Sequence, residues 1–316
     1  MLQRGQILRG ELGKYTIAKQ LRDTLWLAKN QPKETVIVKG VQNHPRVKNE
    51  RDILKHFQGK TAYLRPLLDE IEDPPEPTII VLKHFEGDLL QATKARPLNR
   101  KELKFVSRRI LGALNSLHEG GYVHADIKPD NFLVNYAREG MENSVRFSDV
   151  RLGDVGGTCP IDSKWATSGI PLGAPMWRSP EMIMETPWST PTHIWSYGAV
   201  LIFLIYGGDF NLFDPIAVPY GHEEYKLEVL KQQFRYFGPW PGEYEEVAGP
   251  KTLHAIRWIM QDTPKSEITP FAMITEKEVC RKDKEFILEI MKLDWRDRPS
   301  ARELLEHEWF TEDEKE

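Results

Sequence analysis

The N-terminal part of the chain alternates short apolar and polar runs. Tyr15-Thr16-Ile17, Leu25-Trp26-Leu27-Ala28 and Thr35-Val36-Ile37-Val38-Lys39 predict strands within Tyr15 to Val41, with Arg22-Asp23-Thr24 and Asn30-Gln31-Pro32 as turns. This is the pattern of an antiparallel meander. From Arg46 to Phe57 the period changes: Val47, Glu50, Leu54 and Phe57 recur at spacings of 3, 4 and 3, which predicts a helix with one carboxylate on its apolar stripe. Ile79-Ile80-Val81-Leu82 predicts a further strand pair, reached past the linker-like Pro74-Pro75-Glu76-Pro77. Beyond it the pattern is helical. Asn99 and Glu102 form a capping-box pair ahead of Val106, Ile110, Leu114 and Leu117, and Gly120-Gly121 supplies a stop. Thr190-Pro191 opens a helix, Ile194 to Tyr206, that is apolar nearly all round and so predicts a buried axis. Helices follow over Asp283–Leu293 and from the Ser300/Glu303 cap to Phe310. Strands first and helices later predict an α+β chain of two lobes, with the seam near Lys83 to Asp88.

Composition narrows the partners. In 316 residues, 40% apolar, 43 Lys plus Arg face 47 Asp plus Glu, a formal charge of -4, so no polyanion-binding surface is expected and nucleic acid is not the default partner. The two cysteines, Cys159 and Cys280, have no metal-ligand spacing and fit a reducing compartment. The N-terminal residues carry no secretory signal, and the apolar run Ala199–Tyr206 is far shorter than the ~20 residues a bilayer span needs. An intracellular protein, cytoplasmic or nuclear and without a membrane span, is expected.

Three features carry chemistry. Glu50, on an apolar stripe, must be paired if buried, and Lys39 at the end of an apolar strand is the obvious cation; taken alone, the pair reads more readily as a helix-edge glutamate beside a surface lysine. The polar loop His124-Ala125-Asp126-Ile127-Lys128-Pro129-Asp130-Asn131 lies between a helix stop and an apolar strand. Asp154, at a strand end and followed by Gly156-Gly157, suits a metal-binding carboxylate close to phosphates; Asp149 in Phe147-Ser148-Asp149 is the alternative, and choosing Asp154 leaves Tyr136 to Ser148 as an enlarged hairpin tip.

Taken in order, these residues resemble a eukaryotic-type serine/threonine protein kinase. Its strand lysine and helix glutamate fall on Lys39 and Glu50, its H-R-D-x-K-x-x-N loop on His124 to Asn131, its D-F-G on Asp154-Val155-Gly156, and its A-P-E on Ser179-Pro180-Glu181. The family's late arginine is Arg298, expected to pair with Glu181. Glu224–Leu230 through Tyr236–Pro241 is similar to the cyclin-dependent and SR-protein kinase branch, whose inserted lobe docks partners.

The resemblance implies one kinase domain over 1–316, with a small antiparallel β-rich N-lobe (1–83) and a larger, mainly helical C-lobe (84–316). It implies ATP and Mg2+ as cofactors and a protein substrate, with a docking partner at the 225–280 insert. Lys39, held by Glu50, would bind the α and β phosphates and Lys128 the γ phosphate. Asn131 and Asp154 would hold magnesium, and Asp126 would take the substrate hydroxyl proton. Lys128 with Pro129 and Asn131 is the serine/threonine form of the loop.

The pattern also departs from the family. Lys19 to Trp26 contains no glycine where a phosphate-covering G-x-G-x-x-G belongs; Gly10 and Gly13 lie upstream, either as a different cover or as an ordinary turn. Ala125 stands in place of an arginine and Val155 in place of a phenylalanine. His193 replaces an aspartate, and a neutral imidazole is expected to accept only one of that aspartate's backbone bonds. These losses keep open an alternative, a kinase-fold scaffold with little or no transfer. Trp240, Tyr244 and Trp258 read as local core.

Overall fold

The computed structural model describes residues 2–40, 45–138 and 145–311; Val41, the centre of the hairpin tip and all of the acidic tail beyond Thr311 lie outside them. The chain opens with β1 (Ile7–Gly10), β2 (Lys14–Arg22), β3 (Leu25–Lys29), β4 (Thr35–Gly40), α1 (Pro45–Phe57), β5 (Leu67–Asp73) and β6 (Ile79–Lys83). The strands close into a barrel in the order β1-β2-β3-β4-β6-β5, every pair antiparallel. Alternation along β4 decides the site, because successive side chains point to opposite faces. Val36 and Val38 enter the barrel core with Tyr15, Trp26 and Ile71. Ile37 joins the core that contains Val47, Leu54 and Phe57 of α1, and Lys39 shares its face.

The remaining elements are β7 (Gly87–Asp88), α2 (Leu89–Ala95), α3 (Arg100–Glu119), β8 (Tyr122–Val123), β9 (Phe132–Tyr136), β10 (Phe147–Leu152), β11 (Cys159–Pro160), α4 (Lys164–Thr167), α5 (Pro180–Ile183), α6 (Pro191–Ile205), α7 (Tyr225–Phe237), α8 (Pro250–Asp262), α9 (Arg281–Ile290) and α10 (Ala301–Leu305). The capping boxes at Asn99 and Ser300 both form. Every residue of α6 from Thr192 to Leu204 is buried, so this helix is the axis around which the helical part packs. The result is the expected two-part α+β arrangement, β-rich first and helical afterwards.

Three expectations are corrected and one open alternative is closed. Gly10 and Gly13 form no cover over the cleft: Gly10 ends β1 against Asp69, whose carboxylate accepts the Leu12 N–H (3.0 Å) and the Tyr15 hydroxyl (2.8 Å). The last helix stops at Leu305, where Glu306 and His307 turn the chain before a short 3-10 turn, Glu308–Phe310. The hairpin tip is smaller than read, since Phe147 still pairs with Tyr136 and the Ala137 N–H still reaches Arg146 O. Trp240 and Tyr244 are core, but Trp258 is exposed, with the Lys231 ammonium 4.9 Å from its ring centroid.

Candidate active site

Lys39 meets Glu50 at 2.5 Å and Asp154 at 2.6 Å, so a strand lysine joins a helix carboxylate to one from the turn after β10. Glu50 is 1% exposed. Its position on the α1 stripe buries the carboxylate, and the buried charge is tolerable because the ammonium reaches it. Burial alone would lower the Lys39 pKa, but Glu50 and then Asp154 outweigh it and hold the ammonium above its ordinary value. Asp154 shows the mirror case: burial would raise its pKa, while Lys39 keeps it below the usual carboxylate range. Asp154 sits at φ 50°, a left-handed conformation that aspartate tolerates better than most residues. Asn49 fixes this turn to α1, donating to Gly156 O at 3.0 Å and Thr158 O at 2.8 Å.

Asp149 is spent elsewhere. It accepts from Arg109 (2.6 Å) and Arg151 (2.7 Å), with Lys83 at 3.6 Å, behind the cleft.

The polar loop after β8 folds around its own carboxylate. Asn131 donates to Asp126 O at 2.8 Å, which turns its amide oxygen away from that carbonyl, and Lys128 lies 3.2 Å from Asp126 Oδ2. Asp126 Oδ1 accepts the Ala174 N–H at 3.1 Å. Gly173, at φ 72°, makes this approach possible: a Cβ there would stand 2.4 Å from Ala125 O. Burial would lower the Lys128 pKa, but Asp126 and Asp130 raise it on balance. His124 Nε2 faces Gly153 O at 3.1 Å and its Nδ1 accepts the Asp126 N–H at 3.3 Å, tying the loop to the Asp154 turn.

His193 departs from expectation. Its Nε2 faces two backbone N–H groups, His124 at 2.8 Å and Ala125 at 3.2 Å, because α6 brings the ring directly under the loop and one lone pair is shared between them. Nearby, Glu181 and Arg298 pair through two 2.8 Å bonds, fixing the segment that follows Gly173 to the helical core.

Between β2 and β3 the chain forms no glycine-bearing phosphate cover. β2 and β3 stay paired to Arg22↔Leu25, leaving Asp23-Thr24 as a two-residue turn, and Thr24 O is held by the Gly40 N–H at 3.1 Å. A further cation, Arg65, gave no sequence signal; it donates to Lys83 O at 2.9 Å. Burial pulls its pKa down to about 10 despite Glu50 and Asp154, leaving it charged at neutral pH. An arginine between two apolar segments looks like any surface residue until the fold covers it.

The Asp154 carboxylate and the Asn131 amide oxygen are the oxygen donors that could hold a hard cation such as magnesium, its shell completed by phosphate oxygens. Among the described residues no cluster of three His, Cys, Asp or Glu forms a self-sufficient metal site.

The family model of the protein kinase domain matches residues 3–310, and the chain belongs to the protein kinase family. It is 33% identical over 125 residues to a probable serine/threonine-protein kinase, mkcB of Dictyostelium discoideum, covering 39% of this chain and 16% of that protein. Against NUAK family SNF1-like kinase 2 of Rattus norvegicus it is 24% identical over 264 residues, covering 80% of this chain and 36% of the relative. This chain thus spans well under half the length of these relatives. A chain of the yeast RNA Pol II CTD kinase CTDK-1 complex superposes with a TM-score of 0.74 at 17% identity, covering 98% of this chain and 95% of that one, which shows the fold.

Proposed function

We propose that this chain is a serine/threonine protein kinase that transfers the γ-phosphate of Mg-ATP to a protein hydroxyl. One observation carries the reading: Lys39, Glu50, Asp126, Lys128, Asn131 and Asp154, drawn from four separate stretches, form one connected polar cleft. Transfer of a phosphoryl group asks for positioning and charge stabilisation more than covalent chemistry, and this set supplies both. The Asp126 carboxylate, oriented by Asn131 and the Ala174 N–H, accepts the proton of the incoming hydroxyl. Lys128 and Lys39 place positive charge along the phosphates, and Asp154 and Asn131 are the oxygen donors for magnesium. Mg-ATP, when bound, supplies the transferable group and neutralises charge as the β–γ bond breaks.

We place the function in a single domain of two lobes, 1–83 and 84–316, acting inside the cell on protein substrates. Among the described residues no helix is long and apolar enough to cross a membrane. The 225–280 segment, with exposed Trp258, Met260 and Met273, is where we place a docking partner.

The glycine-free two-residue turn between β2 and β3 favours a second reading, a kinase-fold scaffold with little transfer. Labelling with γ-labelled Mg-ATP, on a generic basic protein and on the chain itself, separates the two. Signal in the wild type that Asp126→Asn removes is expected; equal labelling, or none from either folded protein, refutes the kinase reading.

A further inference from the structure

Beneath the catalytic loop lies a pair of imidazoles, His193 buried and His118 half-buried, that takes no part in the cleft itself. His118 on α3 and His193 on α6 meet with Nε2 and Nδ1 2.9 Å apart, their rings nearly parallel at 16°. His193 is 1% exposed. Its other nitrogen, Nε2, lies opposite the N–H groups of His124 and Ala125, which are donors and nothing else. That nitrogen must therefore present a lone pair. A neutral imidazole has one N–H, so the His193 proton stands on Nδ1, where His118 Nε2 receives it, and His118 in turn carries its own proton on Nδ1.

We propose that His118 is a positioning residue: by accepting the Nδ1 proton of His193 it fixes the tautomer whose Nε2 holds the backbone of the catalytic loop ahead of Asp126. Without that acceptor the Nε2–H tautomer becomes competitive, and it would set one N–H against two others. The bond to Ala125 matters most, because Ala125 sits at φ 62°, a left-handed conformation that a residue with a Cβ does not adopt unsupported. The groups around the pair are His118 and His193 themselves, His124 of the loop, and Asp126 and Arg178 across a small void that His193, Ala125 and Trp177 also line. Burial keeps both imidazoles neutral, in agreement with the tautomer argument. The relay is independent of what the loop does; only its effect on turnover rests on the kinase reading.

The test is amide hydrogen exchange at His124 and Ala125, with steady-state kinetics, in four variants of the full chain. His118→Leu removes the acceptor, and exchange of both amides should rise about tenfold or more, the size of effect set by one buried hydrogen-bond partner lost. It should lower kcat while leaving KM for ATP nearly unchanged, because Asp126 moves and Lys39 does not. His118→Gln retains an oxygen acceptor for the same proton and should restore slow exchange. In a His193→Asp background, where a carboxylate accepts both N–H groups without any tautomer, adding His118→Leu should change exchange by less than twofold.

Wild-type exchange in His118→Leu overturns the proposal, as does His118→Gln behaving like His118→Leu, or the full effect persisting beside His193→Asp. If His118→Leu fails to fold, imidazole 15N shifts of the wild type decide, Nδ1–H on His193 supporting the relay and Nε2–H refuting it. If no variant transfers phosphate, the wild type included, while the exchange pattern holds, the relay stands and the kinase reading fails.

Discussion

Breaking the Glu181–Arg298 pair should be the most damaging single change outside the cleft. The two side chains are 2% and 0% exposed and share two 2.8 Å bonds. Arg298 also donates to Lys292 O (2.8 Å) and Pro191 O (3.0 Å), with its guanidinium 5.1 Å from the Trp195 ring centroid. Arg298→Met therefore strands a buried carboxylate and two carbonyls, a loss of about 3–5 kcal/mol against a total stability of only ~5–15 kcal/mol. With an unfolding entropy of ~2.1 cal/mol/K per residue, 316 residues give roughly 0.66 kcal/mol/K, so the melting temperature should fall by about 5–8 °C. Glu181→Leu strands the arginine instead and should cost a similar amount. The double variant Glu181→Leu/Arg298→Met removes both charges and leaves only the carbonyls, so its loss should fall short of the summed singles by at least ~2 kcal/mol. Urea unfolding of the three variants measures this. Singles costing under about 1 kcal/mol, or a double equal to the sum, would refute the account of a buried, mutually compensating pair that anchors the segment after Gly173.

Two further outcomes follow from the cleft and the histidine pair. Lys39→Met should abolish transfer and, by leaving Glu50 buried without its ammonium, also cost about 3 kcal/mol in unfolding, most of it recovered in Lys39→Met/Glu50→Gln; a variant as stable as the wild type would contradict the burial argument. Burial depresses the His118 pKa to about 4 from an ordinary 6.5 and pushes His193 in the same direction, so the unfolded chain binds more protons below pH 6.5. Stability should thus be full above about pH 6.5 and decline toward pH 4, with His118 alone accounting for about 3 kcal/mol at the lower end. Urea titrations between pH 7.5 and 5 should show this slope, reduced by about one proton in His118→Gln, whereas a flat profile would mean that both imidazoles take up protons as readily in the folded chain as in the unfolded one and would refute the burial argument.

Local pattern carried much of this protein. The alternation in β4 placed Lys39 on the face of Ile37, and the spacing of Val47, Glu50, Leu54 and Phe57 put a carboxylate on the helix stripe that packs there. Capping boxes at Asn99 and Ser300 and the largely apolar α6 depend on neighbours within one or two turns, so they could be read from the sequence alone. The family motifs supplied the order of the candidate groups along the chain.

What only the tertiary structure decided are the pairings between distant residues. That Asp154 faces Lys39 while Asp149 faces Arg109 depends on how α1, α3 and the strands pack. Closure of the barrel by β1, which takes Gly10 and Gly13 away from the cleft, depends on β5 lying beside it. Arg65 came within the field of Glu50 and Asp154, and His118 became the partner of His193, through packing of elements that share no local signal. Sequence period reports which face a side chain occupies; which group it meets there depends on elements dozens of residues away, and burial then makes each such meeting either a strong bond or a costly vacancy.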